Sequence, residues 1–252
     1  PAADSLGTIT PRIAALTGLR SDCRVVCGIH DSNASYLEHL LERPRDQPFA
    51  VISSGTWTVV MANRADLTRL RSERDMLANV DAFGSAVATA RFMGGREYEA
   101  IAGTTARPDV AALEAVLRQQ AYAIPSFAEA GPFPAHRGKL INATDLNEPA
   151  RAALATVYVA LMGDLLLELL GADQDVLVDG PLASNPLFAS LLATWRPRAR
   201  VFANSGAGGV CSRAATYLAG FGAAPAISTI AAPLRIDGLD AYRETWRRQL
   251  PQ

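Results

Sequence analysis

An apolar run leads into a cluster of polar residues in the stretch Val25-Val26-Cys27-Gly28-Ile29-His30-Asp31-Ser32-Asn33-Ala34-Ser35. Its apolar run, Val25 to Ile29, predicts a short buried strand. A helix is expected next, with Ser32 or Asn33 as its N-cap, because apolar residues then recur at helical spacing: Ala34, Leu37, Leu40 and Leu41. Asp31 would therefore lie at the carboxyl end of a strand, just before a helix. Open α/β sheets bind their ligands at that position, where a carboxylate can accept a proton or bind a metal.

Length and composition exclude several classes of protein. The 252 residues suffice for one large domain or two small ones, and 49% of them are hydrophobic, so the chain can bury a sizeable core. A net charge of −1 gives no electrostatic reason to expect nucleic acid or an anionic membrane as a partner. We expect the apolar stretches to be too short or too interrupted to span a bilayer, and we recognise no signal peptide.

The cysteines indicate neither a disulfide framework nor a zinc site. There are three of them, Cys23, Cys27 and Cys211, beside only three histidines. We expect Cys27 and Cys211 to be buried as small hydrophobic side chains, in a protein of the reducing cytoplasm.

The order of predicted elements is strand–helix, hairpin, then helix–strand–helix–strand–helix, which is typical of an α/β fold with a mixed sheet. The first hairpin pairs Phe49–Ser53 with Thr56–Ala62 around Ser54-Gly55. The clearest helix runs from Glu148 to Leu170, between an Asn147 cap and Gly171, and its apolar stripe predicts a core position.

Weaker patterns predict the remaining elements. They are a short helix from Thr10-Pro11 to Gly18, a hairpin around Phe83-Gly84, a helix after Gly94-Gly95, an amphipathic helix over 109–122, a Pro/Gly-rich loop over 124–140, a strand over 175–179, a turn over 180–185, a helix over 186–195, a strand over 200–203, a helix over 210–219, a linker over 223–233 and a final helix from Leu239.

Three glycine-containing turns each follow an apolar, strand-like run. They are Ser53-Ser54-Gly55-Thr56, Asp179-Gly180-Pro181 and Asn204-Ser205-Gly206-Ala207-Gly208-Gly209. Glycine lets backbone N–H groups approach phosphate oxygens, and a hydroxyl such as that of Thr56 adds a donor. One such turn is usually only a turn, but three of them together with Asp31 indicate a nucleotide site.

Simpler structural roles remain open for the same residues. Asp31 could equally be a helix-capping carboxylate, and His30 could be a satisfied turn residue. Asn185, which precedes Pro186, is a good N-cap in its own right. Asp179 could cap a turn.

These segments together resemble the carboxyl-terminal domain of the FGGY family of carbohydrate kinases, most closely its rhamnulokinase and fuculokinase branch. The resemblance covers nearly the whole chain in family order. Gly28 to Ser35 is similar to the catalytic-aspartate segment, and Ser53 to Trp57 to the second phosphate-binding hairpin. Pro125 to Pro134 resembles the nucleotide-side loop, Val178 to Phe188 the adenosine motif, and Gly208 to Ala219 the closing helix.

The resemblance implies an actin- and hexokinase-like (ribonuclease H-like) fold that transfers the γ-phosphate of ATP to a sugar hydroxyl. Asp31 would be the general base, and His30 could hydrogen-bond the sugar. The nucleotide-binding residues would be Gly55 and Thr56 at the phosphates, and Gly131, Gly180 and Asn185 at the adenine and ribose. Mg²⁺ would bridge the phosphates with few or no protein ligands of its own.

Two departures from the family pattern affect this interpretation. Pro181 stands where many members have a second glycine, close to the expected adenine pocket. The amino-terminal Asp-x-Gly-Thr phosphate loop is absent, so residues 1–252 are expected to form only the carboxyl-terminal domain, with the amino-terminal sugar-binding domain as a missing partner. The isolated chain should then turn over little or no substrate, and its exposed inter-lobe face could drive homo-oligomer formation. A 6-deoxyketose such as L-rhamnulose or L-fuculose is the expected acceptor.

Two other functions are open from the sequence. The chain could be a non-catalytic sugar- or nucleotide-sensing module that has lost its first lobe. A hydrolase is a weaker alternative, because there is no Gly-x-Ser-x-Gly elbow and both His39 and His136 lie in ordinary polar contexts.

Overall fold

The computed structural model describes residues 1–44, 46–103, 105–204, 209–222 and 228–251. Its helices are α1 (Pro11–Thr17), α2 (Asp31–Glu42), α3 (Gly94–Ala102), α4 (Val110–Gln119), α5 (Glu148–Leu170), α6 (Phe188–Trp195), α7 (Val210–Leu218) and α8 (Leu239–Arg248). Its strands are β1 (Ser5–Thr8), β2 (Arg24–Val26), β3 (Phe49–Ser54), β4 (Thr58–Ala62), β5 (Met76–Val80), β6 (Ala86–Phe92), β7 (Tyr122–Ile124), β8 (Lys139–Ile141), β9 (Asp175–Asp179), β10 (Val201–Asn204) and β11 (Ser228–Ile230). Short 3₁₀ turns occur at Leu67–Arg69, Ser72–Arg74 and Pro181–Ser184.

The main sheet is mixed, as the element order predicts. Within the described residues its seven strands lie in the order β11-β10-β9-β3-β4-β6-β5. β3, β9 and β10 run parallel, whereas β3, β4, β6 and β5 form an antiparallel meander. β3 and β4 are apolar over most of their length because layers of helices cover both faces of the sheet. This is the actin/hexokinase-like, ribonuclease H-like arrangement expected from the sequence.

The predicted core helix is confirmed as α5. The Asn147 side chain accepts a hydrogen bond from the Ala150 amide at 3.0 Å, and Gly171 ends the helix in the left-handed conformation. α5 is buried on nearly all sides, beyond the single predicted stripe, because it packs against α3, α4, α6 and the sheet.

The expectation that no stretch could span a bilayer is wrong by length and composition alone. α5 is long and apolar enough to do so, and 83% of its most apolar window is buried inside the structure. That burial makes it the core helix of the domain.

The prediction of a buried strand over Val25 to Ile29 is wrong, both in its burial and in the strand with which it pairs. Only Arg24–Val26 are extended, and they pair antiparallel with Ser5–Thr8 in a separate two-stranded ribbon. Both strands are largely exposed, and only Val26 packs partly against the apolar cluster between α2 and α7. The segment therefore joins the amino-terminal residues and does not enter the main sheet.

The predicted burial of two cysteines is also wrong. Cys27 follows the exposed ribbon and Cys211 lies on the outer side of α7, and both are exposed. An apolar side chain is buried only where a second layer covers it, and nothing in the local sequence specifies that layer.

Most of the remaining elements are confirmed with shifted ends. The helix predicted from Pro186 begins at Phe188, and the hairpin around Phe83-Gly84 is formed by β5 and β6. Among the described residues, four short strands were not predicted: β1, β7, β8 and β11. Residues 205–208 of the third glycine turn and residues 223–227 of the predicted linker lie outside the described part of the chain.

A buried carboxyl group fastens α8 to the core. Asp164 of α5 is 1% exposed and accepts hydrogen bonds from Arg196 Nη1 at 2.9 Å, from Arg243 Nε at 2.9 Å and from Arg247 Nη2 at 3.1 Å. The three guanidinium groups come from the end of α6 and from α8. One buried acid thus holds three segments that are distant in sequence.

Replacing Asp164 with alanine should lower the free energy of unfolding by about 3–5 kcal/mol, because three guanidinium groups would lose their shared partner in a buried site. Urea unfolding at neutral pH measures the change. Asp173→Ala is the matched control: Asp173 also contacts Arg196, at 3.4 Å, but its side chain is 94% exposed, so its loss should cost about 1 kcal/mol or less. Equal losses in the two variants would contradict the proposed role of the buried network.

Candidate active site

The β3–β4 hairpin loop separates two cavities. Gly55, Thr56 and Trp57 form the loop, which is closed by a hydrogen bond from the Gly55 amide to the Trp57 carbonyl at 2.9 Å. Ser54, Gly55 and Thr56 line both cavities. The predicted phosphate-binding hairpin therefore forms a wall between the two cavities.

The larger cavity has a volume of about 660 Å³, within the usual range for small-molecule sites. Apart from the hairpin, the described lining comes from the first turns of α3, from residues 105–108 and from the loop after β9. Its members are Thr58, Gly94, Gly95, Arg96, Tyr98, Glu99, Thr105, Ala106, Arg107, Pro108, Pro181, Leu182, Ser184, Asn185 and Pro186. The lining combines two arginines and one glutamate with aromatic, proline and leucine surfaces, a net positive composition suited to an anionic ligand with a flat apolar part.

The amino terminus of α3 is packed directly onto the hairpin. The Gly95 amide donates to the Thr56 carbonyl at 3.2 Å. A Cβ at Gly95 would lie 2.3 Å from the Gly55 carbonyl oxygen, and one at Gly94 would lie 2.1 Å from Thr58 Oγ1. Only glycine fits at either position.

Two features of this contact fit a bound phosphate. No side chain caps the amino terminus of α3, and Gly94, Gly95 and Arg96 of its first turn line the cavity, which places the positive end of the helix at the cavity wall. The Thr58 hydroxyl lies buried in the cavity wall and has no hydrogen-bond partner in the described part of the chain. Arg96, in the first turn of α3, adds a full positive charge to the lining.

The smaller cavity, of about 430 Å³, contains Asp31 and His30. Both side chains are 74% exposed. Asp31 Oδ1 accepts a hydrogen bond from the Ser32 amide at 2.6 Å and lies 2.7 Å from His30 Nδ1. The other Asp31 oxygen makes no hydrogen bond or ion pair in the described part of the chain, so it is available to a ligand.

The structure corrects the local geometry predicted around Asp31. His30 is the N-cap of α2, and Asp31 is its first helical residue. The predicted caps, Ser32 and Asn33, are already helical. Asp31 lies at the positive end of a twelve-residue helix, as expected, but no strand of the main sheet leads into it.

A buried residue connects the parts of the site. The Asp179 side chain, 1% exposed, accepts hydrogen bonds through Oδ2 from Ser35 and from His39 Nε2, the latter at 3.0 Å. Its backbone carbonyl accepts the Ser54 hydroxyl at 2.5 Å, and that hydroxyl accepts the Leu182 amide at 3.0 Å. Asp179 thus joins α2, the hairpin and the loop after β9.

The other residues predicted for the nucleotide have different placements. Gly180 (φ +78°) lies so close to the hairpin that a Cβ would be 2.0 Å from the Ser54 carbonyl oxygen. Asn185 lines the larger cavity, but its side chain is engaged internally, with the Thr156 hydroxyl and the Leu187 amide, each at 3.0 Å. Gly131 is not among the described lining of either cavity, and packs against Phe92 instead.

Several residues of the site were missed from the sequence. The sequence analysis predicts only that a helix follows Gly94-Gly95. The pair also follows an apolar, strand-like run, so the reasoning applied to the three glycine-containing turns could have found it. His39 was dismissed as a residue in an ordinary polar context. No local signal distinguishes His39, because its partner Asp179 is 140 residues away.

Behind the first turn of α3, Glu97 is fully buried and accepts a hydrogen bond from the Tyr158 hydroxyl of α5. Burial raises the pKa of Glu97 to about 7, although the hydrogen bonds from Tyr158 and from the Phe127 backbone oppose that shift. The group that anchors α3 to the core therefore titrates near neutral pH.

Comparison with known proteins supports the class of fold. A carbohydrate kinase from Novosphingobium aromaticivorans is 35% identical, with a TM-score of 0.81 over 99% of this chain and 57% of its own. A xylulose kinase from Rhodospirillum rubrum (16% identity, TM-score 0.66, 98% of this chain and 55% of its own) and a gluconate kinase from Lactobacillus acidophilus (10% identity, TM-score 0.63, 98% and 54%) share the fold. No curated protein matches the chain significantly.

The family follows from a sequence match over most of the chain. Residues 46–226 match the model of the carbohydrate kinase FGGY carboxyl-terminal domain. The chain belongs to the FGGY carbohydrate kinase family, as its carboxyl-terminal domain. It spans little more than half the length of the solved relatives it matches.

The titration of Glu97 should make the stability of the domain depend on pH. The folded pKa of about 7 exceeds the ordinary value of 4.5, so between these values the folded state binds more protons than the unfolded state. The free energy of unfolding should then fall as pH rises from about 4.5 to about 7, by on the order of 3 kcal/mol from this group.

Urea unfolding of the wild type and of Glu97→Gln between pH 4.5 and 8 tests this titration. The neutral glutamine should remove the decline and leave the variant relatively more stable above pH 7. Glu99→Gln, on the same helix but lining the open cavity, is the control and should keep the wild-type profile. Parallel pH profiles for wild type and Glu97→Gln would refute the assignment.

Proposed function

We propose that this chain is the nucleotide-side lobe of a kinase that transfers the γ-phosphate of ATP to a sugar hydroxyl. The observation that carries the proposal is the hairpin wall. One side has a cavity suited to a nucleotide, and the other has a cavity with an exposed carboxylate. Ser54, Gly55 and Thr56 belong to both, so a phosphoryl group at the hairpin would face donor and acceptor together.

The nucleotide would occupy the larger cavity. Its phosphates would lie toward the uncapped start of α3 and Arg96, next to Gly55 and Thr56. Its base would lie against the apolar surfaces of Tyr98, Pro181 and Leu182. Gly180 and Asn185 would shape the nucleotide cavity. Gly180 allows the loop after β9 to approach the hairpin closely, and Asn185 holds the turn that follows it.

Asp31 would be the general base. As the sugar oxygen forms its bond to the γ-phosphorus, the bond from that phosphorus to ADP breaks and the hydroxyl proton passes to Asp31. His30, whose Nδ1 faces Asp31, would orient the carboxylate and could bind a second sugar hydroxyl through Nε2. An exposed carboxylate at the positive end of α2 suits that role because it is accessible and held in place.

Magnesium fits this arrangement as an ion carried by the nucleotide. Within the described residues no group of three or more histidine, cysteine, aspartate and glutamate side chains could hold a metal. The phosphates and water would therefore supply most of its ligands. The ion would offset the charge of the phosphates.

The proposal also includes an acceptor sugar and a second lobe that is not part of this chain. The solved relatives carry roughly as many further residues, which supports an amino-terminal sugar-binding lobe as the missing partner. Apolar side chains on the amino-terminal segment are strongly exposed, among them Leu6 at 68% and Leu16 at 70%, which fits a face that a second lobe or a second copy covers. A deoxyketose such as L-rhamnulose or L-fuculose is the proposed acceptor, and the cytoplasm the proposed location.

Nucleotide binding is testable on the chain itself. Isothermal titration of ADP–magnesium should give saturable one-site binding, and Arg96→Gln should weaken it about tenfold because a phosphate contact is lost. Arg198→Gln, an exposed arginine outside both cavities, is the matched control and should bind as the wild type does. Failure of a two-lobed protein to bind ADP would exclude the kinase.

The role of Asp31 must be tested in a protein that also has the amino-terminal lobe. Orienting the acceptor lowers the reaction barrier by on the order of 7–11 kcal/mol. The isolated chain should show little or no turnover. Asp31→Asn in the two-lobed protein should leave ADP affinity nearly unchanged and lower kcat at least a hundredfold. A panel of ketoses, deoxyketoses and sugar acids identifies the acceptor.

Two results would redirect the proposal. Normal turnover by Asp31→Asn would show that another group is the base. Stoichiometric binding of sugar and nucleotide by the natural two-lobed protein, without transfer, would instead favour the sensing module.

A further inference from the structure

The smaller cavity contains a cation as well as Asp31. Arg91 lies on β6, paired in register with Val59 of β4, two residues beyond the hairpin loop. Arg91 supplies the one guanidinium group in the described lining of this cavity. The hydroxyl groups of a neutral sugar do not need a cation for their recognition, so its presence calls for an explanation.

The guanidinium group is fixed in orientation. Its carbon lies 4.7 Å from the centroid of the Trp57 ring, in a cation–π contact. Its Nε donates to Asp75 Oδ1 at 2.9 Å, and Asp75 Oδ2 accepts the Gly131 amide at 3.1 Å. Trp57 and Asp75 therefore hold the plane of the group before any ligand arrives.

The outer edge of the group remains available. In the described part of the chain neither terminal nitrogen of Arg91 has a hydrogen-bond partner, and the side chain is 42% exposed. An ion pair this exposed adds only about 0–1 kcal/mol to stability. Stability alone therefore accounts poorly for an arginine that is stacked, oriented and left with a free pair of donors.

We propose that Arg91 binds an oxyanion on the acceptor side of the hairpin, through the paired N–H groups of its outer edge. This chemistry fits two sources: the carboxylate of an acidic sugar, or the phosphoryl group as it is transferred. Planar, bidentate recognition of either group is the particular property of arginine. The inference rests on the proposed kinase function, and it gives this lobe a part in reading the charge of the reacting groups.

Trp57 provides a probe of this site in the chain as it stands. The indole ¹⁵N–¹H signals are recorded while a sugar acid (an aldonate), the matching neutral alditol or inorganic phosphate is added at constant ionic strength. The Trp57 signal should shift with at least one of the two anions and not with the alditol. Trp195 and Trp246, buried in the core, are internal references that should stay still.

Substitution then assigns the response. Arg91→Gln should weaken anion binding about 10- to 100-fold, as expected for a charge-assisted bidentate pair, and Arg91→Lys should restore part of it. Arg118→Gln, on α4 and outside this cavity, should behave as the wild type does. A shift with the aldonate alone identifies the acceptor as the source, and a shift with phosphate alone identifies the phosphoryl group.

The same variants in a two-lobed protein extend the test to catalysis. If Arg91→Gln loses kcat/KM for the aldonate alone, the anion is the carboxylate of the acceptor. If it loses kcat for every acceptor, the anion is the phosphoryl group. The inference is overturned if anions do not move Trp57 in the wild type, if Arg91→Gln responds equally, or if it leaves both kinetic constants unchanged. Titration of the same samples with ADP–magnesium separates failure of the kinase proposal from failure of the anion-site proposal. Absence of nucleotide binding would contradict the kinase function but would leave the anion site untouched.

Discussion

The arrangement of the site depends on the hydrogen bonds of one buried residue, Asp179. Its side chain holds Ser35 and His39, one and two turns along the helix that begins at Asp31. Its carbonyl holds the hydroxyl of Ser54 at the base of the hairpin. A buried acid is costly unless it is partnered. Oδ2 is bonded to both side chains, whereas Oδ1 has no hydrogen-bond partner in the described part of the chain. The helix, the hairpin and the loop after β9 consequently share one reference point.

The second constraint is steric. Gly94, Gly95 and Gly180 stand where a Cβ would collide with the hairpin or with Thr58, at 2.0 to 2.3 Å. The hairpin is therefore clamped by backbone from two directions, by the start of α3 and by the loop after β9. A thin wall of backbone lets two cavities approach each other closely, which is what transfer of a group between two ligands requires.

The electrostatics of the two cavities differ in a consistent way. The larger one combines the positive end of α3 with Arg96 and Arg107, and suits a polyanion. The smaller one has both the carboxylate of Asp31 and the oriented guanidinium group of Arg91 in its lining, which fits the acceptor side proposed for it. Further from the hairpin, Glu38 and Arg213 join α2 to α7 in a largely buried ion pair, which supports the same helix from its other side.

The sequence by itself determined the elements whose signals are local. Asn147, Pro149 and Gly171 mark the ends of α5 because caps act within one turn. The glycine turn between β3 and β4 and the order of most strands and helices likewise followed from spacing. Only the tertiary structure decided what covers each element and which distant residues meet. The exposure of β2 and Cys27, the pairing of His39 with Asp179 across 140 residues, the packing of Gly94-Gly95 on the hairpin and the placement of Gly131 outside both cavities depend on contacts between segments far apart in the chain. The spacing of hydrophobic residues and the residue types at turns specify the local backbone conformation. Burial and the choice of hydrogen-bond partner depend on the surrounding layers, which no local pattern encodes.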